Sequence, residues 1–171
     1  RERERGTMEN LLAMPVRPIE VMIGKILPYI ALGSVQVAVF LAVARLMFDV
    51  AVEGSLPLLC LGTALFITVN LAIGFTISTV TQNQLQAMQA SVFILLPSIL
   101  LSGFLYARES MPLVFRGISA LIPMTYYLQI LRGVILKGVG VQVLWEQTLA
   151  LSAFALFMIV VSVSRFRKTI E

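Results

Sequence analysis

Charged side chains are sparse in this sequence and cluster most densely at its start, Arg1-Glu2-Arg3-Glu4-Arg5-Gly6-Thr7-Met8-Glu9-Asn10-Leu11-Leu12-Ala13-Met14-Pro15. There is no histidine and one cysteine, Cys60. Histidine-based triads and HExxH zinc sites are therefore excluded from this chain, and a lone thiolate builds no metal cluster. No pair of carboxylates lies inside an apolar stretch, so an intramembrane hydrolase has little to work with. Ion-coupled transport is disfavoured by the same lack of a deep acid. What the opening segment can do is bind. Thr7 suits an N-cap, Glu9 stands near the positive end of the helix dipole, and Met8, Leu11 and Leu12 recur at i, i+3, i+4 before Pro15 and Pro18 end the helix. Arg1 with Glu4 and Glu2 with Arg5 make the run nearly self-neutral, which suits a protein contact better than a polybasic lipid anchor. The competing reading is a solvated helix lying on headgroups.

The elements behind that segment are membrane-like. Hydrophobic residues make up 58% of the 171 and charged ones only 13%, about half the charged share of a soluble domain. Net charge is +4, but the basic residues sit at the edges of apolar runs, and no aromatic–basic interleaving points to nucleic acid. The run 26–48, interrupted only by Arg45, reaches about 34 Å as a helix, enough for a hydrocarbon core of about 30 Å. Pro28 is placed in its first turns, where a missing N–H costs least. Leu56 to Val80 carries no charge, with Ser55 as cap and Pro57 at the start. A third apolar run covers 85–105 with Pro97 inside it. A fourth covers about 143–164, opened by Trp145 and closed by Arg165, Arg167 and Lys168.

Two stripes of small and polar residues follow the helical period: Thr63, Asn70, Gly74 and Thr81 on the second run, and Gln84, Ser91, Ser98 and Ser102 on the third. Such stripes mark helix–helix contacts in lipid; the alternative is a substrate path, with Asn70 its best candidate. Facing each other, they would bring cysteines at Gly74 and Ser98 within cross-linking reach. Between the third and fourth runs lie two pieces too short to cross, about 111–121 and 126–136, separated by Ile122-Pro123-Met124-Thr125. Thr125 is expected to cap the second, and Gly133, Gly138 and Gly140 to loosen its end. They read as an interfacial or re-entrant hairpin, against an ordinary extramembrane loop. Arg1, Arg3, Arg5, Arg17, Lys25, Arg165, Arg167 and Lys168 on one side outnumber Arg45, Arg108, Arg116, Arg132 and Lys137 on the other, which favours both ends in the cytoplasm. No GxxxxGK[ST] phosphate loop is present in the chain.

The opening Arg3-Glu4-Arg5-Gly6-Thr7-Met8-Glu9 with Leu12 and Pro15-Val16-Arg17-Pro18 resembles the membrane permease of ABC type-2 exporters. The resemblance continues, in order, through Gly24-Lys25, a turn expected at Ser78-Thr79-Val80, Leu96-Pro97-Ser98, Leu101-Ser102-Gly103-Phe104, Ile122-Pro123-Met124-Thr125-Tyr126-Tyr127, Leu131-Arg132-Gly133 and Arg165-Phe166-Arg167-Lys168. It is greatest for the bacterial multidrug-type branch. It implies an all-α integral membrane protein of the bacterial inner membrane, of whose six spans this chain holds the last four, at 21–48, 55–81, 85–105 and 143–164. Residues 1–20 would hold a cytoplasmic coupling helix and linker. Glu4, Arg5, Gly6, Thr7, Met8, Glu9 and Leu12 would seat it in an ATPase subunit. Residues 106–142, with Pro123, Thr125, Tyr126, Arg132 and Gly133, would form a re-entrant hairpin closing the outer end of the path, and 165–171 a cytoplasmic tail. The resemblance further implies no cofactor in the chain itself, ATP and Mg bound by the partner ATPase subunit, a second permease as dimer partner, and hydrophobic or amphipathic cargo. The reading from a different class is a non-transporting scaffold that recruits a soluble partner through its charged head.

Overall fold

The computed structural model describes residues 18–49 and 54–170, and all regular structure among them is helical. In chain order the helices are α1 (Pro18–Phe48), α2 (Leu56–Val80), α3 (Gln84–Leu101), α4 (Leu113–Ser119), α5 (Pro123–Lys137) and α6 (Val141–Ile170), with one turn of 3-10 helix at Arg108–Ser110. Four of them, α1, α2, α3 and α6, are long and apolar enough to cross a membrane, and α4–α5 form a pair bent by 85°. This is the all-α, multi-pass membrane architecture expected from composition. The charged segment with Glu4, Arg5, Gly6, Thr7, Met8, Glu9 and Leu12 lies outside the described residues.

Several local expectations need correction. Helix α1 begins at Pro18, so Pro28 lies well inside it and leaves the carbonyl four residues back without its helical partner. Ser55 occupies the N-cap of α2 but its side chain makes no cap bond; Pro57, the second residue of the helix, lacks an N–H in the first turn, where none is needed. Helix α3 stops at Leu101, and the chain then turns through Gly103 at φ 90°. The basic residues after Ser164 end the apolar stretch of the last helix but not the helix, whose backbone continues to Ile170. Cationic side chains near a helix C-terminus are favourable to the dipole and give no reason to stop.

The core is built where α2, α5 and α6 meet. Leu59 and Val69 of α2, Ile130 and Val134 of α5 and Leu151 of α6 are fully buried there. Helix α1 lies along α2, with Gly33 facing Ile67 and Val37 and Leu41 against the core. Among lipid tails an apolar side chain gains little from leaving its surroundings, so association rests on close van der Waals fit and interhelical polar bonds. Glycines supply the fit. A β-carbon on Gly54 would lie 2.5 Å from the Val134 carbonyl oxygen, and one on Gly133 2.9 Å from both Leu144 methyls. Gly133 thus serves backbone approach inside α5, not a loosened helix end. That end comes at Gly138, in the left-handed region.

Candidate functional site

Three contacts fix how α5 sits against α2. Val134 meets Gly54, Ile130 meets Gly62, and Tyr127 meets Thr63 and Phe66. As α5 is followed backward from 134 to 127, its partners advance from Gly54, just before α2, to Phe66, about 15 Å along the axis from the start of α2. Its contacts with α6 run the same way: Gly133 rests on Leu144 and Tyr126 on Phe154, about 15 Å further along. Both neighbours therefore place the N-terminal end of α5 near the middle of two membrane-length helices. Its C-terminal end lies at the end of the bundle where α2 and α6 begin, called here the hairpin end. The chain arrives from α3 at that same end, because Arg132 of α5 bonds Gly103 just past α3. Helices α4 and α5 thus enter and leave on one side. At 15 residues α5 covers about 22 Å, short of a bilayer core.

Backbone carbonyls brought so deep need partners, because lipid offers none. The side chains around the bend supply them. Thr125 donates to the Ser119 carbonyl at 2.8 Å, with the Ser119 hydroxyl 3.3 Å from Thr125 Oγ1, and both residues are buried. Tyr126 donates to the Ala120 carbonyl at 2.8 Å. Backbone N–H groups of Ile122 and Ala120 bond Ser119 and the α4 carbonyls. Thr125 is therefore not the N-cap of α5. Ile122 holds that position, Pro123 starts the helix, and Thr125 closes the preceding turn instead. Pro123 suits this start because the N–H it lacks would have had no helical acceptor.

Tyr127 turns to the opposite neighbour. Its ring stacks on Phe66 at 4.5 Å between centroids and 5° between planes, and its hydroxyl lies 3.2 Å from Thr63 Oγ1. Thr63 gives its own proton to the Leu59 carbonyl at 2.8 Å, so Tyr127 is the donor. A second polar junction joins α2 to α6 toward the other end. Ser162 Oγ lies 2.7 Å from the Ala72 carbonyl and 3.0 Å from Thr76 Oγ1, and Thr76 Oγ1 2.9 Å from the same carbonyl. Two protons serve three contacts there.

The expected stripes are not brought together. Thr63 is buried on Tyr127, but Asn70 is exposed and donates to Phe66 of its own helix, and a β-carbon on Gly74 would meet nothing within 4 Å. On α3, Ser91 donates to the Ala87 carbonyl and Ser98 to that of Ile94. Ser102 is buried, yet its bond is to nearby Ile99. The hydroxyls of Ser91, Ser98 and Ser102 all bond carbonyls of their own helix or its end, and none of them reaches Thr63, Asn70 or Thr81. Pro123, Thr125, Tyr126, Arg132 and Gly133 do share one unit, the bent hairpin and its supports. Reading the sequence missed Tyr127, Phe66, Ser119, Thr76 and Ser162. The adjacent Tyr126 and Tyr127 carried a usable signal, since neighbours on a helix point about 100° apart and can serve two partners; Ser162 carried none.

This succession of helices has relatives. The model of the ABC-2 type transporter family matches residues 1–136. The chain belongs to that family. It is 34% identical to the Escherichia coli "Inner membrane transport permease YhhJ" over 99% of the chain and 46% of that protein. Identity is 38% to the E. coli "Probable multidrug ABC transporter permease YbhS" over 93% of the chain and 42% of that protein. A Dictyostelium discoideum protein, "ABC transporter G family member 20", is 30% identical over 95% of the chain and 23% of its own length. The chain therefore spans less than half the length of the curated relatives it matches. No solved structure matches it.

Proposed function

We propose that the chain is the C-terminal four-span part of a permease subunit of an ATP-binding-cassette exporter of the inner membrane. Hydrophobic or amphipathic cargo would be moved outward, with ATP and Mg bound and ATP hydrolysed by a separate subunit and a second permease completing the path. The observation that carries this reading is the bent α4–α5 pair, seated to about half the depth of α2 and α6 with its turn satisfied by its own side chains, in a chain of the ABC-2 type transporter family. In this reading α4–α5 is a re-entrant hairpin at the outer end and both chain ends face the cytoplasm, in line with the excess of Lys and Arg near them. The segment from Glu4 to Leu12 transmits movement from the ATPase subunit. ATP shifts the permease only by binding its two states differently, so a displaced coupling segment loses transport without losing assembly.

The test uses the full-length protein reconstituted with the ATPase subunit that copurifies with it. Glu4→Arg is expected to lower transport and transport-coupled ATP hydrolysis at least tenfold while membrane insertion is unchanged. Full coupling in that variant would remove the segment from the mechanism, and purification without any ATPase under mild conditions would favour the scaffold.

A further inference from the structure

Helix α3 is held differently from its neighbours. None of its residues is buried, whereas six of α2 are. At one end it follows α2 after the short connection Thr81-Gln82-Asn83, where Asn83 accepts from the Gln86 backbone N–H as cap. At the other, past Leu101, the backbone turns through Gly103 at φ 90°, a conformation that costs other residues dearly. Arg132 reaches that turn from α5. Its Nη2 donates to the Gly103 carbonyl at 3.0 Å and toward that of Phe104 at 3.4 Å.

We infer that Arg132 is the tie that fixes the hairpin end of α3 to the hairpin, and so sets its separation from the α2–α6 pair. Three features favour a tie over an incidental surface bond. The acceptors are backbone carbonyls just beyond a helix C-terminus, where the helix supplies no donors. The Gly103 carbonyl is aimed by a left-handed φ, while a β-carbon there would meet only the Tyr106 carbonyl oxygen at 3.8 Å, so glycine is needed for direction rather than room. And a single guanidinium nitrogen, Nη2, faces both adjacent carbonyls, held in place by a planar group whose donors are more fixed in direction than those of a lysine ammonium. Arg132 is itself exposed, so the bond can open without unpacking the core. The tie is a positioning device and does not rest on the transport reading.

The experiment measures distances by double electron–electron resonance in the full-length protein in lipid nanodiscs, with Cys60 and every cysteine outside this chain replaced by Ser. One spin-label pair, at Leu100 and Leu136, reports α3 against α5; a second, at Leu56 and Val143, reports α2 against α6. All four side chains are exposed. Arg132→Met is expected to widen the first distribution at least twofold and leave the second unchanged, with Arg132→Lys intermediate and Gly103→Ala resembling Arg132→Met. An unchanged first distribution in Arg132→Met, or equal widening of both pairs, overturns the inference. Should Arg132→Met fail to accumulate, Arg132→Lys decides alone: a width unchanged from the parent overturns the tie, and a wider one with the second pair unchanged supports it.

Discussion

Helices α2 and α3 carry similar stripes of small and polar residues, in steps of seven or four positions, and the fold uses them in different ways. On α2, Thr63 takes a bond from Tyr127, and at other positions of the helix Thr76 and the Ala72 carbonyl meet Ser162. On α3 the hydroxyls of Ser91 and Ser98 return to carbonyls four residues back in the same helix. A serine or threonine in a helix always has that carbonyl within reach, so a polar stripe is no evidence of a neighbour. A partner is shown only where the hydroxyl has a second contact it cannot make alone. By that criterion α2 is the spine of the described chain and α3 an arm attached at its two ends.

The largest test of this difference is the stacked ring. Tyr127→Ala removes a side chain lodged against Phe66 and Thr63 and should destabilise the full-length protein in detergent by about 3 kcal/mol, the usual cost of emptying an aromatic site; thermal melting followed by size-exclusion chromatography measures it. Tyr127→Phe keeps the stack and should lose only about 0.6 kcal/mol, the average worth of an interhelical hydrogen bond in a membrane protein. Equal losses would mean that the hydroxyl, not the ring, holds the hairpin.

Next in size is Gly54→Ala. The added carbon meets the Val134 backbone at 2.5 Å from its oxygen and 2.9 Å from its Cα, and backbone cannot swing aside, so a loss of about 2 kcal/mol is expected. Gly74→Ala, with nothing within 4 Å, should cost nothing by the same assay and gain from helix propensity. Below these comes Ser162→Ala. Thr76 still reaches the Ala72 carbonyl without it, which limits the loss to about 1 kcal/mol.

How far the sequence foretold this arrangement depends on the kind of signal. Apolar length found the four long helices, because crossing a bilayer needs a run that few other structures need. Pro and Gly marked where the hairpin lies, and Ser55 takes the N-cap position expected of it, though without a side-chain cap bond, but Thr125 is not the cap of its helix. Both residue types suit an N-cap, and at 125 a tertiary acceptor, the Ser119 carbonyl, took the hydroxyl instead. The pairing of Tyr127 with Phe66, or of Ser162 with Ala72 ninety positions away, depends on which helices become neighbours. Periodicity in one helix holds no information about that. The same limit explains why Asn70 and Ser98 looked equivalent to Thr63 before the fold was known.

The smallest expected effect on stability is also the most informative about α3. Changing Ser91 and Ser98 together to Ala removes two bonds that lie within one helix, and i−4 back-bonding of this kind adds little to helix stability. The melting temperature of the full-length protein should shift by an amount corresponding to less than about 0.5 kcal/mol. Transport in the reconstituted complex then separates the two uses of the stripe. A stripe that lines the path should alter export rate or substrate preference with melting unchanged, because the hydroxyls would be exchanging their own carbonyls for cargo. One that packs against a span outside this chain, or against the second permease, should lower melting by about 1 kcal/mol or more, since the change would then remove contacts between helices.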